Sequence, residues 1–220
     1  MKLRILFAAS TAMIMLAGGA SAAELFNQNL ASPGVYFGTG NANGAFATDT
    51  QDGVEIGLRS KISGIFAQIT PVGDTYAIPI GHKFNFDYSV NPSVGGSTVS
   101  LAGAVALIKI TDVANHTSVS FDPSAIPDNA HDAGALGGYQ NSEKISFGFI
   151  DPTYNPNQND TFLIDFTLKG LTNGDNFFVD NKVVVGTGAV PEPATWAMML
   201  VGFGGLGAAM RSRRKLAAAA

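Results

Sequence analysis

The sequence contains no cysteine, which rules out a disulfide framework, a thiolate metal site and a cysteine nucleophile. It also removes any lipid attachment through a cysteine behind an N-terminal leader. Charged residues make up only 14% of the chain, and acids outnumber bases to give a formal charge of −4. That balance does not describe a nucleic-acid-binding surface, which needs an excess of Lys and Arg. His82, His116 and His131 are the only histidines, and none stands at helical metal-ligand spacing from another. No G-x-S-x-G, H-E-x-x-H or P-loop occurs, so the chemistry those motifs encode has no carrier. The one tryptophan, Trp196, lies close to the C-terminal end. Glycine, by contrast, is abundant at 26 residues in 220, above the usual share of about 7% and a sign of frequent turns.

The charge is unevenly spread. Residues 1–23 carry net +2, residues 24–190 net −9, and residues 191–220 net +3. An acidic body therefore lies between two apolar ends, each tagged with basic residues.

In the leader, Lys2 and Arg4 precede an uncharged apolar run over 5–16. Gly18 and Gly19 follow, and Ala20-Ser21-Ala22 supplies the small residues that a signal peptidase accepts. The apolar run is too short to cross about 30 Å of hydrocarbon. Residues 1–22 are thus expected to be a signal peptide cleaved after Ala22, with Ala20 and Ala22 as the recognised positions.

The tail reverses that order. Pro191-Glu192-Pro193 fixes an extended backbone and removes two amide donors, so this stretch joins neither helix nor sheet. Residues 194–210 are then uncharged, about 25 Å if helical and at the short limit for a membrane span. Arg211, Arg213, Arg214 and Lys215 follow at once, a cluster that stays cytoplasmic and so places the body across the membrane. Trp196 suits the outer interface, and the glycines at 202, 204, 205 and 207 leave one part of the helix thin enough for a second helix to approach.

In this order of motif, apolar helix and basic stop, the tail resembles the PEP-CTERM sorting signal, in the subtype with Trp and Ala after the motif, here Pro191, Glu192, Pro193, Trp196 and Ala197. Two details depart from the pattern: Ser212 interrupts the basic run, and Leu216 and four alanines extend beyond it. The resemblance implies an exported protein of a Gram-negative bacterium, transiently anchored in the inner membrane and cut near the motif by an exosortase. It further implies residence at the cell surface or outside the cell, in association with exopolysaccharide and biofilm matrix.

The body, 23–190, reads as short runs of β-branched and aromatic residues between Gly, Pro, Asn and Asp clusters. Strands are expected at 35–38, 54–62, 64–69, 76–80, 83–90, 97–99, 105–113, 118–121, 144–150, 161–168 and 177–185. Alternation is plain in Phe84-Asn85-Phe86-Asp87-Tyr88 and over 162–168. The expected fold is all-β: a single antiparallel β-sandwich or jelly roll. Residues 177–185 are also similar to the last strand of galactose-binding-like jelly rolls, although Asp180-Asn181 reads equally as a bulge or turn at a sheet edge. The run 36–59 resembles other proteins with this tail and brings no known activity.

Candidate chemistry in the body is sparse. Asp151, Asn155, Asn157, Asn159 and Asp160 offer oxygen ligands for Ca²⁺; the same residues serve a hairpin loop that only needs turn geometry. The run 128–132, containing Asp128, His131 and Asp132, is a polar loop with the makings of a divalent-ion site. Asp and Glu are numerous enough to supply a glycosidase pair, although the body has only two glutamates beyond the leader junction, Glu55 and Glu143. Without tryptophan, sugar stacking would fall to Tyr36, Tyr76, Tyr88, Tyr139 and Tyr154. The leading expectation is a non-catalytic surface or matrix protein with no required cofactor. A carbohydrate-binding module and a glycan hydrolase or lyase follow.

Overall fold

Alternating side chains decide which side of each strand is buried, and in this chain both sides often are. The computed structural model describes residues 23–32, 42–131 and 137–186. Among them are eleven strands: β1 (Leu25–Gln28), β2 (Phe46–Gln51), β3 (Val54–Ile62), β4 (Thr75–Ile78), β5 (Phe84–Asn91), β6 (Val105–Asp112), β7 (Thr117–Phe121), β8 (Ala130–His131), β9 (Tyr139–Lys144), β10 (Asp160–Lys169) and β11 (Phe177–Val185). One sheet has the order β1-β2-β3-β5-β9-β8 and the other β4-β11-β10-β6-β7. The helical elements among the described residues are two single turns of 3-10 helix, Val94–Gly96 and Pro123–Ala125. No helix among the described residues is long and apolar enough to cross a membrane.

The all-β expectation holds, with two sheets around one shared core. Val54, Ile56 and Leu58 of β3 and Phe84, Phe86, Tyr88 and Val90 of β5 meet Phe162, Ile164, Phe166 and Leu168 of β10 across the interior. Ring contacts tie the sheets together: Phe84 to Phe162 at 5.4 Å, and Tyr88 edge-on to Phe166 at 6.3 Å. Aromatic pairs at such tilted geometries are favourable beyond their buried area.

The antiparallel expectation needs one correction, because β4 pairs with β11 in parallel. β3 and β4 run in the same sense; the connection 63–74 must carry the chain back along the molecule before β4 begins. The hairpins β2–β3, β6–β7, β8–β9 and β10–β11 each stay within one sheet, so the topology supports the sandwich half of the expectation.

Several strand boundaries also differ. Residues 64–69 and 97–99 are not strands: the first begins in a turn closed by the Ile65 amide on the Ile62 carbonyl, and in the second the Ser97 hydroxyl accepts the Val99 amide. The strand expected at 144–150 lies at Tyr139–Lys144 instead, and 145–150 is a succession of turns. β1, β2 and β8 were not anticipated. The segment 35–38 falls outside the described residues. Asp180 and Asn181 sit in unbroken register with Asp165 and Ile164, so they form neither a bulge nor a turn.

Candidate functional site

The point of departure is the end of β11. Val185 lies opposite Asp160 on β10 and Ile78 on β4, and the Gly186 amide donates to the Ile78 carbonyl at 2.8 Å. Gly186 has φ +89 and packs so closely on Asn159 that a Cβ would collide with it; only glycine meets both conditions. The chain therefore leaves the body from the end of an interior strand, at the end of the sandwich formed by the turns 79–83, 113–116 and 145–159. Pro191, Glu192, Pro193, Trp196, Ala197, Arg211, Arg213, Arg214 and Lys215 lie beyond, outside the described residues, as do Ala20 and Ala22.

The candidate Ca²⁺ loop belongs to this end, and its oxygens turn onto their own backbone. Asp151 Oδ1 accepts the amide and hydroxyl of Thr153, at 2.9 and 2.7 Å. Asn155 Oδ1 accepts the Asn157 amide at 3.0 Å, and Asp160 Oδ1 the Thr161 amide at 2.6 Å. These are the bonds by which Asx residues shape turns. Among the described residues no group of three or more His, Asp or Glu side chains converges on a metal position. At 128–131, Asn129 is buried and joins the Tyr88 hydroxyl at 2.7 Å and the Pro123 carbonyl at 2.8 Å, while Asp128 accepts from Asn141. Asp132 lies outside the described residues.

Glu55 and Glu143 are not brought together. Glu55 shares a row with Asn91 on the outer side of its sheet, where it accepts the Ala31 amide at 2.8 Å. Glu143 stands in the row of Phe86 on the core side. Burial raises both carboxyls, and burial with the nearby Asp128 charge pushes Glu143 up to about 7. The tyrosines form no exposed platform: Tyr76, Tyr88 and Tyr139 are buried and Tyr154 half-buried; Tyr36 lies outside the described residues. The exposed aromatic rings among the described residues are Phe66, Phe147, Phe149 and Phe178.

Two polar clusters were not anticipated. On the outer face, Arg59 and Asp87, each 2% exposed or less, pair through Nε and Oδ2 at 2.7 Å, with Lys61 Nζ 3.1 Å from Oδ1. Arg59 Nη1 donates to the carbonyls of Ala42 and Gly44, and its guanidinium lies 4.4 Å over the Phe46 ring. The pair thus fastens 42–44 across the sheet. The alternation Glu55, Gly57, Arg59, Lys61 along β3 was the available signal. The second cluster covers β11 where β4 has not yet begun: the Phe178 amide donates to Asp49, the Asp180 amide to Glu24 and the Lys182 amide to the Asp74 carbonyl. Burial, with the Asp180 and Asp74 charges, drives Glu24 up to about 8, and burial raises Asp49. No local pattern announces these pairings, since Glu24 and Asp180 are joined only by the fold.

The body is thus a two-sheet β domain whose last strand delivers the chain into a separate tail. That tail, residues 189–215, matches the PEP-CTERM protein-sorting motif, in agreement with the resemblance read from the motif residues. The match implies an exported protein handled by an exosortase. No curated protein and no solved structure matches the chain.

Proposed function

We propose that the chain is the precursor of a non-catalytic cell-surface or extracellular matrix protein of a Gram-negative bacterium. Residues 1–22 direct export and are removed by signal peptidase. Residues 194–210 then hold the body at the outer side of the inner membrane, with the basic cluster inside. Exosortase acts near Pro191-Glu192-Pro193 and frees the body for the surface, where exopolysaccharide is its surrounding medium. The observation that carries this reading is the sorting motif at 189–215, which begins only four residues after the last strand ends.

Replacing Pro191, Glu192 and Pro193 with alanine is expected to leave a longer, membrane-retained chain. Immunoblots of membrane and medium fractions from the native host read the outcome. Release of the mutant at wild-type length would overturn the sorting mechanism.

A further inference from the structure

We propose that the end of the sandwich from which the tail leaves is a membrane-docking face, resting on the same bilayer that residues 194–210 enter. The inference depends on the anchor described above and adds a second point of contact to it.

The argument begins with an asymmetry between the two ends. A third of the exposed large hydrophobic side chains of the described residues stand at the tail end, Ile65 (40% exposed), Phe66 (64%), Ile80 (50%) and Val113 (40%), while Phe147 and Phe149, stacked on each other, lie on the flank, where Phe149 packs edge-on to Phe121. The register puts these turns together. β3 ends at Ile62 beside Phe84, the first residue of β5, and the Ser63 amide donates to the Lys83 carbonyl. The Gly81 amide donates to the Pro156 carbonyl, and the Val113 amide to Thr161. At the opposite end, the turns 52–53, 122–129 and 170–176 carry no exposed large hydrophobic side chain. The other exposed apolar residues lie on strands, apart from Val72.

Side chains of this kind are costly to leave in water, and clustered at one end of a soluble domain they mark an interaction surface. The occupant follows from where the chain goes next. Val185 and Pro191 are separated by six peptide units, at most about 20 Å of extended backbone, and the apolar segment begins three residues later. The tail therefore holds this end within about 30 Å of the bilayer, and β11, with nine residues and so about 30 Å long, sets the other end that much further along the body. Tethering supplies a high effective concentration, so shallow insertion of a few Phe and Ile side chains suffices for contact. Exposed charges at this end are mixed: Lys83 and Lys144 stand near half-buried Asp151 and Asp160. The contact is accordingly apolar and not selective for anionic lipid.

A chain without cysteine permits a direct test. Full-length protein with Phe66→Cys, Ile80→Cys or, at the far end, Ala102→Cys is labelled with a polarity-sensitive fluorophore. It is then reconstituted into vesicles of phosphatidylethanolamine and phosphatidylglycerol in equal amounts. Labels at 66 and 80 are expected to shift to the blue and to be quenched by nitroxide-bearing lipid, whereas the label at 102 does neither. If the protein floats with the vesicles but positions 66 and 80 behave like 102, the docking face is wrong and the anchor stands. If it fails to float, the anchor falls and the docking with it.

Discussion

At the scale of single residues, the molecule places charge where charge is expensive. Arg59 and Asp87 are buried together, and removing Arg59 leaves Asp87 paired with Lys61 alone, at a cost of up to about 3–5 kcal/mol. Arg59→Met is expected to lower the unfolding free energy by up to that amount, and Arg59→Met with Asp87→Leu to recover part of it. Parallel denaturation curves for the three proteins check this. Glu143 makes a different prediction. Its folded carboxyl is raised from 4.5 to about 7, so between those values the folded state keeps a proton that the unfolded state releases. Stability is then fullest below 4.5 and falls as pH rises through 7. Glu143→Gln is expected to raise the Tm at pH 8 and to change it little at pH 4, which calorimetry at the two pH values reads. Glu24, raised to about 8, acts in the same direction.

At the scale of elements, strands with apolar inner rows were legible and strands with polar inner rows were not. β10 alternates Phe162, Ile164, Phe166 and Leu168 inward, and β5 does the same with Phe84, Phe86 and Tyr88. β2 turns Asp49 toward the core side, where its carboxylate takes up the Phe178 amide. β9 turns Glu143 inward, so neither strand shows the expected period. Conversely, the apolar stretch 64–69 looked like a strand because Ile65 and Phe66 are greasy, yet both are exposed in a turn region. The strap over the outer face was equally hidden. Leu30 packs against Gly57 so tightly that any Cβ there would collide with it. Gly57→Val is expected to displace the strap and cost about 1–3 kcal/mol. The Ala31 amide, bonded to Glu55, should exchange faster with deuterium in that variant.

At the scale of the whole molecule, the sorting signal was legible and activity was not. The tail's order of prolines, apolar run and basic cluster is a local pattern that needs no fold, and the match at 189–215 agrees with it. The loop containing residues 151–160 was legible as polar and rich in turns, but it crosses from β9 in one sheet to β10 in the other and is not a hairpin, and its side-chain directions are decided by those turns. Topology supplies a further test. Replacing Arg211, Arg213, Arg214 and Lys215 with alanine removes the charge that, on the proposed topology, keeps the tail's end inside. The expected result is full-length chain in the soluble periplasmic fraction, read by fractionation and mass.

The place where the tail joins the body has a mechanical meaning. β11 is hydrogen-bonded on one side to β10 along its whole length and on the other to β4 near its exit. A pull on residue 186 runs along that strand, so the neighbouring ladder bonds share the load in shear and do not open one at a time. A body tugged by flow through residue 186 would carry the load along its last strand and would not peel from that end.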